Sequence, residues 1–166
     1  EYAKELLTHV NPYTNLAYCD DPCVAMVEIN NENALLSQYQ RGNIDKLPEP
    51  YAGELQGQWN KWLSNRYSSL EVLLREWKSE SDRLSDHQNF KNASIPTIKL
   101  NDSITVEAQQ DFYQFLIDAE HNYWIGLSDY LKNELDVKSV ISGTQVNPKF
   151  GYSPPFIQAE LDYIDS

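Results

Sequence analysis

Residues 24–33 read Val-Ala-Met-Val-Glu-Ile-Asn-Asn-Glu-Asn, an apolar run that stops abruptly at amides and a carboxylate. A buried strand whose far end opens into a polar site has this pattern. In parallel-stranded barrel enzymes the chemistry sits at the C-terminal ends of strands, so Asn31 and Glu32 are the first candidate site residues. A second run, residues 136–142 (Asp-Val-Lys-Ser-Val-Ile-Ser), ends at Gly143-Thr144 and predicts a second buried strand.

The stretches around these runs carry helical spacing. Residues 2–10 form an apolar-periodic helix that stops before Asn11-Pro12, and residues 11–22 read as a loop. Residues 34–40 predict a short helix, and residues 42–50, with Pro48 and Pro50, a connector. Leu55, Trp59, Trp62 and Leu63 form one helical stripe. Ser68-Ser-Leu-Glu71 matches a capping box, and Leu70, Leu73, Leu74 and Trp77 continue at helical spacing. Residues 79–103 are polar and irregular, apart from a short strand expected at 95–100. The longest helix is expected over 105–133, with Phe112, Phe115, Leu116, Ala119, Tyr123, Leu127 and Leu131 on one face. Gly126 interrupts that pattern at a place where another backbone would approach closely. Residues 161–166 read as the start of a further strand. This order of helices and strands favours a parallel sheet with helical crossovers, the excursion between the two strands being unusually long.

Bulk properties narrow the function. A length of 166 residues suffices for one domain with a substantial core, but a complete eight-stranded α/β barrel needs about 250. The chain opens on Glu1 within a helical pattern and closes in an incipient strand, so it is expected to be a piece of a longer protein. The net charge of −12 argues against nucleic acid and against a polybasic membrane contact, and is compatible with neutral ligands such as sugars. Neither a membrane-length apolar run nor a signal peptide is visible. Cys19 and Cys23 are too few for a zinc site, and two separate thiols are favoured over a bridge. Asn92-Ala-Ser94 and Asn101-Asp-Ser103 match the glycosylation triplet in a chain rich in Asn, where chance matches are common. His9, His87 and His121 are too scattered for a metal site, and the glycines do not cluster as a nucleotide cradle does. No metal or organic cofactor is implied.

Two readings of Asn31-Glu32 compete. On composition alone, amides and a carboxylate after a strand make a turn and a helix N-terminus, where Asn caps and Glu suits the dipole. The alternative is glycoside cleavage, which needs two carboxyl groups across the scissile bond, one protonating the leaving oxygen and the other attacking or activating water. Glu32 fits the acid, Asn31 a contact to a sugar hydroxyl, and Glu28, four residues earlier on the same strand, is expected to point into the barrel and interact with the site. Aromatic residues make up 12% of the chain, but Trp59, Trp62, Trp77, Phe112, Phe115 and Tyr123 fall on helical stripes and read as core rather than sugar subsite. Tyr152, in the loop at 148–155, is the better substrate-binding candidate.

Glu28-Ile-Asn-Asn-Glu32-Asn33 resembles the fourth-strand motif of clan A glycoside hydrolases, the retaining (β/α)8 barrels that include cellulase-type family 5 enzymes. His9-Val-Asn-Pro-Tyr-Thr14 and Asp21-Pro22 are similar to the approach to that strand. Ile141-Ser-Gly-Thr144-Gln145 resembles a fifth-strand end, and Gln158-Ala-Glu-Leu-Asp162-Tyr-Ile-Asp165 the approach to the sixth. The resemblance implies an α/β fragment of a (β/α)8 barrel, about strands 4 to 6, the rest of the barrel being supplied by chain not present here. It implies a retaining enzyme acting on β-linked poly- or oligosaccharides, with Glu32 as acid/base and Asn31 contacting the 2-hydroxyl. It also implies an extracellular or periplasmic location. The nucleophile of the clan is a Glu ending the seventh strand, which this sequence does not reach; Glu160 precedes a strand and is not assigned that role. Two rivals stand beside this reading. One is a non-catalytic carbohydrate-binding or scaffolding protein on a degenerate barrel. The other is a mainly helical interaction domain in which 24–30 is a buried helix segment; parallel pairing of 24–30 with 138–143 is incompatible with it.

Overall fold

A computed structural model describes residues 1–78, 90, 93, 95–96, 104–145 and 154–164. The regular elements are α1 (Tyr2–Leu7), β1 (Met26–Glu28), α2 (Leu35–Gln40), α3 (Tyr51–Arg66), α4 (Leu70–Glu76), α5 (Val106–Asp129) and β2 (Val140–Ser142). Short 3-10 turns lie at Ile44–Lys46 and Pro155–Gln158, and a π-turn at Tyr130–Glu134 continues α5. Two compact units divide the chain: Glu1–Ser37 with Ala119–Ser166, and Gln38–Asp118.

In the first unit β1 and β2 pair in parallel, with Met26 opposite Val140, Val27 opposite Ile141 and Glu28 opposite Ser142. Residue 24–30 is therefore no helix. The pairing continues past the regular strand, since Ile29 N donates to Ser142 O and Asn30 N to Gly143 O, both at 3.0 Å. Beneath it lies an apolar cluster of Leu7, Cys19, Leu131, Leu135, Val137 and Ile141, flanked by Val27 and Ile29.

The expected run of barrel strands is not there. The described residues hold a two-stranded sheet in a mainly helical chain, so the assignment to strands 4 to 6 of a (β/α)8 barrel is corrected. Residues 161–164 form no strand. Instead Asp162 Oδ2 accepts from Ile141 N at 2.8 Å, and Asp162 N donates back to Ile141 O at 3.1 Å. A side-chain carboxylate thus occupies the ladder position that a strand's carbonyl would take. β1 is also less buried than expected, with Met26 and Glu28 exposed, because β2 pairs with one edge only. β2, by contrast, starts at the exposed Val140 and continues into the buried Ile141 and Ser142, with Thr144 buried just beyond it.

Lys132 Nζ reaches Asp162 Oδ2 at 2.8 Å and also donates to Ser139 O at 2.7 Å, tying the π-turn to both sides of β2. The ammonium, helped by the Ile141 amide and opposed by partial desolvation, holds the Asp162 carboxyl below its usual value. A carboxylate depressed on folding stabilises above the pKa it has when unfolded, and that stabilisation is lost as the pH falls through the folded value. Asp162→Asn, which keeps an acceptor for Ile141 N, is expected to cost about 1 kcal/mol at pH 7, the pair being partly exposed and screened. Urea titrations should show the gap between wild type and variant closing below about pH 4. A gap of constant size from pH 7 to pH 3 would contradict the role given to the charge.

In the second unit, α3, α4 and the first half of α5 bury their apolar stripes. Trp59 stacks on Trp62 and Trp77 (ring centroids 5.5 and 6.1 Å apart) and meets Phe112 edge-on at 5.2 Å. The core assignment of Trp59, Trp77, Phe112 and Phe115 is thus met, with Trp62 half-buried. At the start of α4 the cap is Ser69, not Ser68. Ser69 is extended (φ −157°, ψ 162°), and its hydroxyl accepts from Val72 N at 3.3 Å, so the Ser68–Glu71 box does not form. Among the described residues nothing stands within 4 Å of where a Cβ on Gly126 would point, so none of them makes the close approach expected there. The strand expected at 95–100 lies largely outside the described residues, as do the triplet at 92–94 in part and the triplet at 101–103 and His87 entirely.

Candidate functional site at the parallel strand ends

Because β1 and β2 run the same way, their C-terminal ends open on one edge. The backbone leaves that edge in a bend over 29–32, where Glu32 takes a left-handed conformation (φ 47°). Such a φ is uncommon for a residue with a Cβ and is concentrated at turns and functional sites. The bend is anchored on both flanks. Asn33 N donates to Thr144 Oγ1 at 3.2 Å, and Leu36 N, in the first turn of α2, donates to Glu120 Oε2 at 3.0 Å. Glu120 is only 2% exposed, so a buried carboxylate from α5 satisfies an orphan amide at the positive end of α2.

The end of β2 is built as tightly. Gln158 spans Thr144, its Oε1 accepting from Thr144 N at 2.8 Å and its Nε2 donating to Thr144 O at 3.0 Å. A Cβ on Gly143 would stand 2.3 Å from Gln158 Oε1 and 3.1 Å from the Trp124 ring, so glycine is the residue that lets this amide reach the strand. Gln145 N donates to Glu28 Oε1 at 2.9 Å. Asn30 Nδ2 donates to the Tyr123 hydroxyl at 3.1 Å.

Asn31 and Glu32 stand exposed on this polar rim, just past the C-terminal end of β1. Among the described residues the Glu32 carboxylate enters no hydrogen bond or ion pair, whereas that of Glu28 is engaged by the Gln145 backbone. Glu28 therefore braces the two strand ends. Tyr152 lies outside the described residues. Glu160 sits exposed after the Pro155–Gln158 turn, its carboxylate 3.5 Å from His121 Nε2 while His121 Nδ1 lies 3.0 Å from Ile157 O. A ring nitrogen facing a carbonyl carries the proton, so His121 staples α5 to that turn.

Tyr123 is the rim residue that the sequence pattern misplaced. The expected apolar face of α5 ran through Tyr123, but Tyr123 is 45% exposed while the adjacent Trp124 is buried. The buried line follows Phe112, Leu116, Glu120 and Trp124 at strict four-residue steps. A Glu on that line concealed it, since a buried carboxylate is costly without a partner and its partner, Leu36 N, is remote in sequence.

Cys19 is buried and Cys23 exposed, and both are free thiols. Among the described residues no group of His, Cys, Asp or Glu is arranged to hold a metal ion, and no helix is long and apolar enough to cross a membrane. Comparison of the chain with protein families, with curated proteins and with solved structures finds no match.

Proposed function

We propose that the chain carries the acid/base half of a retaining glycoside hydrolase acting on β-linked poly- or oligosaccharides. Glu32 protonates the glycosidic oxygen as the bond to the leaving sugar breaks, and in the second step takes a proton from the attacking water. Asn31 contacts the sugar beside it. The carboxylate that attacks the anomeric carbon is not assigned to any residue of this chain.

The observation that carries the reading is the placement of an unpaired, exposed carboxylate beside an exposed amide, just past the C-terminal end of a strand in a parallel pair. Ligands of open parallel sheets bind outside the carboxyl ends of the strands. The left-handed backbone at Glu32 and its anchored flanks add to this, since a functional side chain needs a held backbone beneath it. The resemblance of residues 28–33 to the acid/base motif supplies the chemistry.

The test uses the protein encoded by the full reading frame. Glu32→Gln is expected to lower turnover of an unactivated β-glycoside by roughly 10²–10⁴, the usual contribution of a general acid, while leaving sugar affinity near that of wild type. Glycosides with strongly acidic phenol leaving groups need less protonation and should lose less in the bond-breaking step. Turnover unchanged on both kinds of substrate would remove Glu32 from the mechanism.

A further inference from the structure

Of the three described tyrosines of the first unit that are exposed, Tyr2, Tyr13 and Tyr123, the last is held at both its ring and its hydroxyl. Tyr2 and Tyr13 are exposed at 78% and 94%, as solvated surface rings are. Tyr123 leaves 45% of itself open, yet is fixed at two points. Its ring packs edge-on against the buried Trp124 (centroids 4.8 Å apart, planes at 63°), and its hydroxyl accepts from Asn30 Nδ2 at 3.1 Å. An exposed ring with its orientation already fixed loses little conformational freedom when something stacks on it.

Its position gives the stacking partner. Asn30 is the last residue of the parallel pairing, and Glu32 is two residues on. Two peptide steps span at most about 7 Å, so the backbone of Asn30, whose side chain tethers Tyr123, lies within about that distance of the backbone of Glu32. A pyranose presents C–H bonds on one face and hydroxyls around its rim. Such a ligand uses an aromatic face together with amides, and the rim here offers Tyr123 beside Asn30 and Asn31.

We propose that Tyr123 is a sugar-stacking residue of the Glu32 site, its ring aimed by the hydrogen bond from Asn30. The proposal rests on the reading of Glu32 as a glycosidase residue and adds the surface that holds the saccharide next to it. Asn30 acts through Tyr123 and is a positioning residue.

The experiment measures binding of a β-1,4-linked gluco-oligosaccharide and a β-1,4-linked manno-oligosaccharide by calorimetry, in a Glu32→Gln background so that neither is consumed. Tyr123→Ala should weaken the better ligand about tenfold, and Tyr123→Trp, which keeps a platform without the hydroxyl, should restore most of that loss. Tyr123→Phe should bind better than Tyr123→Ala and, lacking the tether, should be insensitive to a further Asn30→Ala change. A ring that merely packed would move the thermal midpoint and leave affinity alone. Wild-type affinity in Tyr123→Ala, or a Trp variant as weak as the Ala variant, would overturn the role of Tyr123 while leaving Glu32 untouched. Absence of binding by either saccharide to the Glu32→Gln protein and to wild type would overturn both.

Discussion

Asp111→Ala is expected to lower the unfolding free energy by about 3–4 kcal/mol, the largest effect of any polar substitution in the second unit. The Asp111 carboxylate is buried and collects three donors, from the last residue of α3, from the residue after it and from the residue that follows α4. Trp77 Nε1 donates to Oδ2 at 2.7 Å, the Tyr67 hydroxyl donates to the same oxygen, and Arg66 Nε lies 3.2 Å from Oδ1. Burial, reinforced by the hydrogen bond to the carboxylate, pushes the Tyr67 phenol above its usual pKa, so it remains a donor at any pH of interest. Removing the carboxylate strands a buried indole N–H and a half-buried hydroxyl, each costing about 1–3 kcal/mol, and the half-exposed Arg66 contributes less. Asp111→Asn keeps one acceptor oxygen and should recover part of the loss. Urea unfolding followed by tryptophan fluorescence reads this directly, because Trp77 is one of the ligands of the carboxylate. A loss under about 1 kcal/mol for the alanine variant would show that the hub is replaceable by water.

Trp59→Ala is expected to cost about 3–5 kcal/mol, the range for truncating a large buried aromatic. Trp59 is fully buried and touches four aromatic neighbours: Trp62, Trp77, Phe112 and Phe115. Rings wedged on several sides by other rings relax poorly into the space left behind, which puts the cost toward the upper part of that range. Trp59→Phe should lose about half as much, since one ring of contact area remains. Near-ultraviolet circular dichroism should weaken along with stability, as the stacked array is broken. If Trp59→Ala matched the stability of wild type, these aromatic stripes would have to be reclassified as ligand surface. The expected sugar affinity of Trp59→Ala at low temperature is that of wild type.

The helices of the second unit were legible because each stripe declares itself within a few turns. Leu55, Trp59 and Leu63 need only the 3.6-residue repeat to reveal a common face, and all three are buried. The Asp111 hub was not legible. Nothing in the spacing of Arg66, Tyr67, Trp77 and Asp111 links them, and a lone Asp on an apolar helix face reads as a solvated position. The strand ends were half legible. The polar finish at Asn30–Asn33 and the run ending at Gly143 marked the two ends, and their parallel register joined them. Tyr123, Glu120 and Gln158 reach the same rim from α5 and the Pro155–Gln158 turn, and no local pattern announces a contact between residues so far apart.

By itself the chain of residues determined which segments are helical, where β-branched runs stop and polar bends begin, and that the surface would be strongly acidic. These follow from local periodicity and composition, which act over a few residues. Tertiary structure alone decided that residues 161–164 cap β2 instead of adding a strand, that Trp124 takes the interior while Tyr123 faces out, and that Glu28 braces the rim instead of lining a site. Each of those outcomes is a choice of partner for a polar or aromatic group. Such a choice is made by the group that desolvation leaves within hydrogen-bonding reach, and reach in space is not written in sequence order.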